Sequence, residues 1–362
     1  MNTKRIDAIT NAVLYEGYML YPYRPSSVKN RQRFNFGVLY PQPYSDAQSG
    51  SDAWNMQTEC LVQGNTLTTI EIRLRFLKLV TRSARKLAEP GLRSVATPAY
   101  ENASVVEVDG RIFTPWQEAI ECEITVPPSN LEELEKTPLE KTFAFSAKEE
   151  TELLRDAKGR IAGQIVRKQE FVSGLVEVRI HRERHSIFKL QVRVRNLTPL
   201  DGEAHEVGRD RALMRSLVSA HVLLGAADGE FISLLEPPEN LGELAAACQN
   251  IGTWPVLVGA EGERDTMLAS PIILYDYPQI APESPGDLFD GTEIDEILAL
   301  RILTMTDQEK SEMQNTDERA RRILERTETL PMEQLMKLHG TLRELHPSDV
   351  RSPALQPKQE MP

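Results

Sequence analysis

VEVRIHRERHSIFKLQVRVR, residues 176–195, decides the fold class. Val176, Val178 and Ile180 alternate with charged residues, and beyond HRERH the residues Phe188, Leu190, Val192 and Val194 alternate with Lys189, Gln191, Arg193 and Arg195. Successive side chains of an extended chain point to opposite faces, so each run sends its apolar set to a core and its polar set to water. Two such runs joined by a short polar segment predict an antiparallel pair with HRERH at the hairpin tip. Ile70, Ile72, Leu74 and Phe76 show the same alternation, with Arg73, Arg75 and Lys78 expected on a solvated face, as do Ile120, Cys122, Ile124 and Val126. Asp109-Gly110 after Val106 and Val108 is a two-residue hairpin turn, and DAKGR at 156–160 is a second turn. The expected fold is α+β, with an antiparallel body that is a sandwich or an open sheet.

Outward from this core pattern the chain changes character. Residues 4–14 read as a short helix, RDRALMRSLVSAHVLL (209–224) as a helix with His221 beside its apolar face, and ENLGELAAACQN (239–250) as another carrying Cys248. WPVLVG (254–259) and SPIILYDYP (270–278) read as strands buried more completely. PPSNLEELEKTPLEK (127–141) has the composition of a linker. Thr306 and Glu309 have capping-box spacing and open a charged helix running towards Arg326, while Leu335, Leu338, Leu342 and Leu345 recur at helical spacing. These readings give a Tyr/Arg-rich region at 1–130, antiparallel β plus helices at 140–305, C-terminal helices at 306–347 and a flexible tail at 348–362.

Six of the nine tyrosines fall in the first 44 residues, interleaved with Arg24, Lys29, Arg31 and Arg33. Tyrosine and arginine each combine a large flat body with a polar tip, the chemistry of interface anchors. Tyr18, Tyr21, Tyr23, Arg24 and Arg31 are therefore expected to form a partner-binding surface. The competing reading is that these rings cover the sheet of their own chain.

The net charge of −12 is unevenly spread: residues 1–95 carry about +6 and the rest about −18. Overall acidity argues against nucleic acid as a partner. Cys60, Cys122 and Cys248 are isolated, which points to a reducing cytoplasm rather than to a disulfide framework or zinc knuckle. The first 20 residues lack the pattern of a secretion signal, and no stretch has the length of a membrane span. His181, Glu183 and His185 would share one face of a continuous strand, a weak match to a metal site of two histidines and a carboxylate. Asp287 and Asp290, with Glu293 and Asp295, form a second carboxylate-rich stretch, but its spacing is not that of an EF-hand and helix capping at Thr292 accounts for it. No cofactor is expected, since GxxxxGK, GxGxxG and GxSxG are all absent.

YEGYMLYPYR (15–24), SSVKNRQRFNFGVLYP (26–41), GSDAWNMQTECLV (50–62) and SPIILYDYPQIAPESPGDLFDGTEIDEILALRILTMTDQEK (270–310) resemble a family of uncharacterised bacterial proteins encoded beside [NiFe]-hydrogenase genes of the actinobacterial type. The resemblance covers roughly the first 65 residues and a stretch near 250–310; the strands between are generic. It implies a cytoplasmic accessory protein that assembles, stabilises or equips a hydrogenase, with hydrogenase subunits or maturation factors as protein partners. It supplies no catalytic residues, and the lack of CxxC or a His-rich tract argues against metal delivery. The expected function is non-catalytic assembly or interaction; the alternative is a metal-dependent enzyme using the Asp287–Asp295 carboxylates or the His181 and His185 cluster.

Overall fold

The computed structural model describes residues 3–24, 27, 30, 33–88, 99–200, 202, 204–280, 284, 286 and 295–334. Arg31, Asp287, Asp290, the leucine repeat at 335–345 and the tail at 348–362 lie outside them.

Its strands, in chain order, are β1 Asn55–Gln63, β2 Thr69–Leu87, β3 Tyr100–Ala103, β4 Val106–Val108, β5 Arg111–Phe113, β6 Trp116–Asn130, β7 Leu139–Phe145, β8 Lys148–Arg155, β9 Ile161–Gln169, β10 Val172–Arg184, β11 Ile187–Asn196, β12 Val218–Ala227, β13 Glu230–Ile232, β14 Trp254–Leu257 and β15 Thr266–Ser270. The helices are α1 Thr3–Tyr15, α2 Gln42–Ala47, α3 Leu131–Lys136, α4 Arg209–Leu213, α5 Gly242–Ala246, α6 Asp295–Leu303, α7 Asp307–Gln314 and α8 Glu318–Glu328.

All strand pairs are antiparallel, and the protein is α+β as expected. The hairpin β10–β11 forms in the register read from the alternation, with Val176 opposite Val194, Val178 opposite Val192 and Ile180 opposite Leu190. It is the centre of a five-stranded sheet ordered β13-β1-β11-β10-β7. The second sheet runs β14-β15-β12-β2-β9-β8 and is organised by the 19-residue β2. One edge of β2 pairs with β12 along Thr69–Leu77 and with β9 along Thr81–Lys86; its other edge takes β6 and then β3. The two sheets pack face to face over Met56, Cys60 and Val62 of β1, Ile70, Leu74 and Phe76 of β2, and the inward sets of β10, β11 and β12. Cys122 is a buried member of this core. Gly174 admits the Phe143 ring, because a Cβ there would lie 2.4 Å from that ring.

Several expectations are corrected. Residues 209–224 are not one helix: α4 ends at Leu213 and β12 begins at Val218, carrying Ala220, Val222 and Leu224 into the sandwich. The strand is buried on both faces, so its apolar run matches helical and extended spacing alike. The linker-like stretch closes β6 and then forms α3, whose cap is Asn130 accepting the Glu133 N–H at 2.8 Å. Leu131 and Leu134 of α3 insert into the sandwich core, and both sheets interleave strands from the two sides of residues 130–140. Residues 239–246 form only a 3-10 turn followed by α5. The buried strand before 271 is TMLAS, whereas Ile273 and Tyr275 point outward at 73% and 83% exposure. Lys78 shares the parity of Phe76, not of Arg75. It is buried, donates to the Ser146 carbonyl at 3.1 Å, and has its pKa lowered by burial. The charged helix from Thr306 breaks after Gln314; Asp317 caps a new one, α8, by accepting the Ala320 N–H at 2.8 Å.

Candidate functional site

The N-terminal aromatic segment builds a second core on the outer face of β2 and β6. Gly17, in the left-handed region at φ +71°, turns the chain out of α1 and delivers Tyr18 inward. Tyr15, Tyr18, Tyr23, Tyr40 and Tyr44 are all buried, against Leu77, Leu79, Trp116 and the apolar faces of α6, α7 and α8. Arg33 stacks over Trp116 at 3.7 Å and Phe34 at 4.6 Å, and donates to the carbonyls of Tyr18 at 2.7 Å and Gln117 at 2.6 Å. Burial lowers its guanidinium to about 10, so it remains charged at neutral pH. Asp317 on the far side accepts the Tyr18 hydroxyl at 2.8 Å and the Trp116 indole N–H at 3.3 Å. A neighbouring chain of contacts runs from Arg319, stacked over Tyr15 at 4.1 Å, through the Tyr15 hydroxyl to Glu121 at 2.6 Å. Both phenols are raised by burial first, then by these carboxylates.

This geometry corrects the surface reading for Tyr18 and Tyr23, whose rings are interior. Tyr21 is partly covered, with Arg301 over its ring at 5.4 Å, and Arg24 pairs with Glu309 at 3.2 Å. The segment is a socket for the C-terminal helices of its own chain.

HRERH lies at the β10–β11 tip. His181 and His185 are exposed, and Glu183 pairs with Lys189 at 3.2 Å instead of converging with them. Among the described residues no group of three or more His, Cys, Asp or Glu is placed to hold a metal ion. Burial raises the thiols of Cys122 and Cys248 to about 11, and that of Cys60 well above its ordinary value.

A cleft of about 910 Å³ opens between the β4–β5 hairpin, the end of β2 and the start of α8. Its charges are mutually engaged: Glu118 bridges Arg82 at 3.0 Å and Arg167 at 2.9 Å, and Arg167 continues to Glu152 at 2.8 Å. Glu118 and Glu152 hold two guanidiniums in place, so the chain braces strands rather than presenting a free base.

The least satisfied surface lies elsewhere, on the side of the sandwich where β13 and β14 form the sheet edges. Trp254, Ile273 and Tyr275 are 45%, 73% and 83% exposed, with Leu235 and Ile251 beside them. Their backbone is fixed. Asp276 accepts the Leu257 N–H at 2.7 Å and the Ser233 hydroxyl at 2.5 Å, and Tyr277 N–H donates to the Leu257 carbonyl at 2.7 Å. The Ser233–Asp276 bond brings the Leu235 loop beside Tyr275, while Trp254 pairs with Ser270 just before Ile273. The sequence reading missed this surface by taking 270–278 as buried. Pro271 and Pro278 at either end, neither able to donate to a strand ladder, were the available signal against a regular strand. No protein-family model matches the chain, and no curated protein matches it.

Proposed function

We propose that this chain is a non-catalytic interaction protein that works by holding a partner against the wall formed by residues 228–280. The observation that carries the reading is the exposure of Trp254, Ile273 and Tyr275 next to backbone that Asp276 and Tyr277 bond to β14, because exposed aromatic and aliphatic side chains are the ordinary anchors of a binding surface. The engaged charges of the cleft support a structural role there. No described helix is long and apolar enough to cross a membrane, and the three cysteines are free, which suits an accessory role in a reducing cytoplasm. The resemblance of the N-terminal and 270–310 segments makes [NiFe]-hydrogenase subunits or maturation factors the first partners to test.

The test is affinity capture of the tagged chain from its native host, comparing wild type with Trp254→Ser/Tyr275→Ser. The reading requires a stoichiometric partner that the double variant loses while keeping its unfolding midpoint. Equal recovery of every protein by both baits would sink it.

A further inference from the structure

The wall has a charge that identifies what it receives. Residues 228–280 contain nine acidic residues and a single basic one, Arg264, a net charge of −8 in a chain whose total is −12. Glu236, Glu239 and Glu261 are exposed and have no ion-pair partner among the described residues. Elsewhere in the molecule surface carboxylates are commonly matched, as in Glu135 with Arg182 or Glu170 with Lys168. Resting on the partner-binding reading, we propose that this wall binds a cationic segment of another protein, one that carries arginine beside an apolar anchor.

Three observations converge on that chemistry. Glu236 donates its backbone N–H to Ser233, whose hydroxyl is bonded to Asp276 beside the exposed Tyr275, so carboxylate and apolar surface adjoin there and a partner must supply positive charge next to an apolar group. Trp254 and Tyr275 are 45% and 83% exposed, and a guanidinium stacks on an accessible aromatic ring while its N–H groups still reach a carboxylate. The protein uses this pairing internally, where Arg319 stacks on Tyr15 and lies 3.5 Å from Glu121. Addition of a strand at the Leu257 end of β14 is blocked, because Asp276 and Tyr277 already take its backbone groups, so recognition there runs through side chains. Phosphate-bearing partners are repelled by the same charge.

The experiment uses the full chain and two fluorescent peptides of identical leucine content, one bearing arginine and the other glutamate at the intervening positions. Binding is followed by anisotropy at about 50 mM and about 300 mM salt. The arginine peptide should bind and weaken with salt, and the glutamate peptide should not bind. Trp254→Ser/Tyr275→Ser should weaken binding by about 30-fold. Glu236→Gln/Glu239→Gln/Glu261→Gln should flatten the salt dependence. All substituted side chains are exposed, and an unchanged melting midpoint verifies folding. Equal binding of both peptides, binding of neither, or full affinity in the Trp254/Tyr275 variant overturns the proposal. So does a concentration-dependent dimer in sedimentation that this variant abolishes, since the occupant is then a second copy. If the host partner is lost from that variant while neither peptide binds, partner binding stands and the cationic chemistry fails.

Discussion

His221 gives the fold a defined weakness to acid. It lies on β12 opposite Arg75 of β2, fully buried, with Nδ1 bonded to the Ser219 carbonyl at 2.8 Å and Nε2 lacking a partner. Burial, with Arg75 nearby, lowers its pKa to about 4, against an ordinary value of 6.5; the Ser219 contact opposes this only in part. The folded state therefore holds the ring neutral while the unfolded chain takes up a proton below about pH 6.5, so stability falls as pH falls through this window. Each pH unit in it corresponds to about 1.4 kcal/mol, so between pH 7.5 and pH 5 this ring alone should remove about 2 kcal/mol. Urea melts of wild type and His221→Leu over that range supply the assay. The leucine variant starts from a different stability, but its slope with pH should be shallower by that amount. Parallel slopes, or a His221 ring resonance in the native protein that titrates near pH 6.5, would refute the reasoning.

Other outcomes follow from the same contacts. Tyr23→Ala/Arg24→Ala should destabilise the fold by about 3–5 kcal/mol, because Tyr23 is fully buried; an unchanged chemical-denaturation midpoint would return the ring to the surface. Tyr18→Phe keeps the ring and removes the bond to Asp317, and should cost about 1.5–3 kcal/mol, with a loss below about 0.5 kcal/mol counting against that contact. Thr306→Ala dismantles the capping box of α7 and should cost about 1 kcal/mol, seen as an earlier melting midpoint. Native protein at pH 8 should react with a thiol reagent at least about 10-fold more slowly than free cysteine, since all three thiols are raised; rapid labelling of one site would identify an opening absent from this fold.

The sandwich was legible where one face of a strand is wet. β2, β10 and β11 carry their alternation openly, and the Asp109-Gly110 turn closes the β4–β5 hairpin with both residues at positive φ. The reading failed where both faces are covered. β12 sits under α1 on one side and within the sandwich on the other, so that even Ser219 and His221 are buried and no solvent-facing set marks the period, and its spacing passed for a helix. The packing of the N-terminal tyrosines was hidden for a different reason. Tyr18 and Asp317 are separated by 299 residues, and nothing local to YEGYMLYPYR reveals that α8 returns to cover it. Lys78 was misassigned by parity alone, since its position relative to Phe76 already placed it inward.

Tyrosine and arginine at the N-terminus pack against the chain's own sheet and helices, and that has a consequence for what faces outward. Arg33, Arg75, Arg82 and Arg319 are spent on carbonyls, rings and carboxylates of the chain itself. With so much cationic surface engaged, acidic residues are left in excess, and they are not spread evenly: removing the −8 of residues 228–280 from the total of −12 leaves −4 for all the rest. Like charges concentrated in one segment repel one another, and a bound cationic partner relieves that repulsion. The segment that carries the exposed Glu236, Glu239 and Glu261 also keeps Trp254, Ile273 and Tyr275 out of both cores. Uncompensated charge and unburied apolar surface coincide there, and a cationic partner with an apolar anchor satisfies both at once.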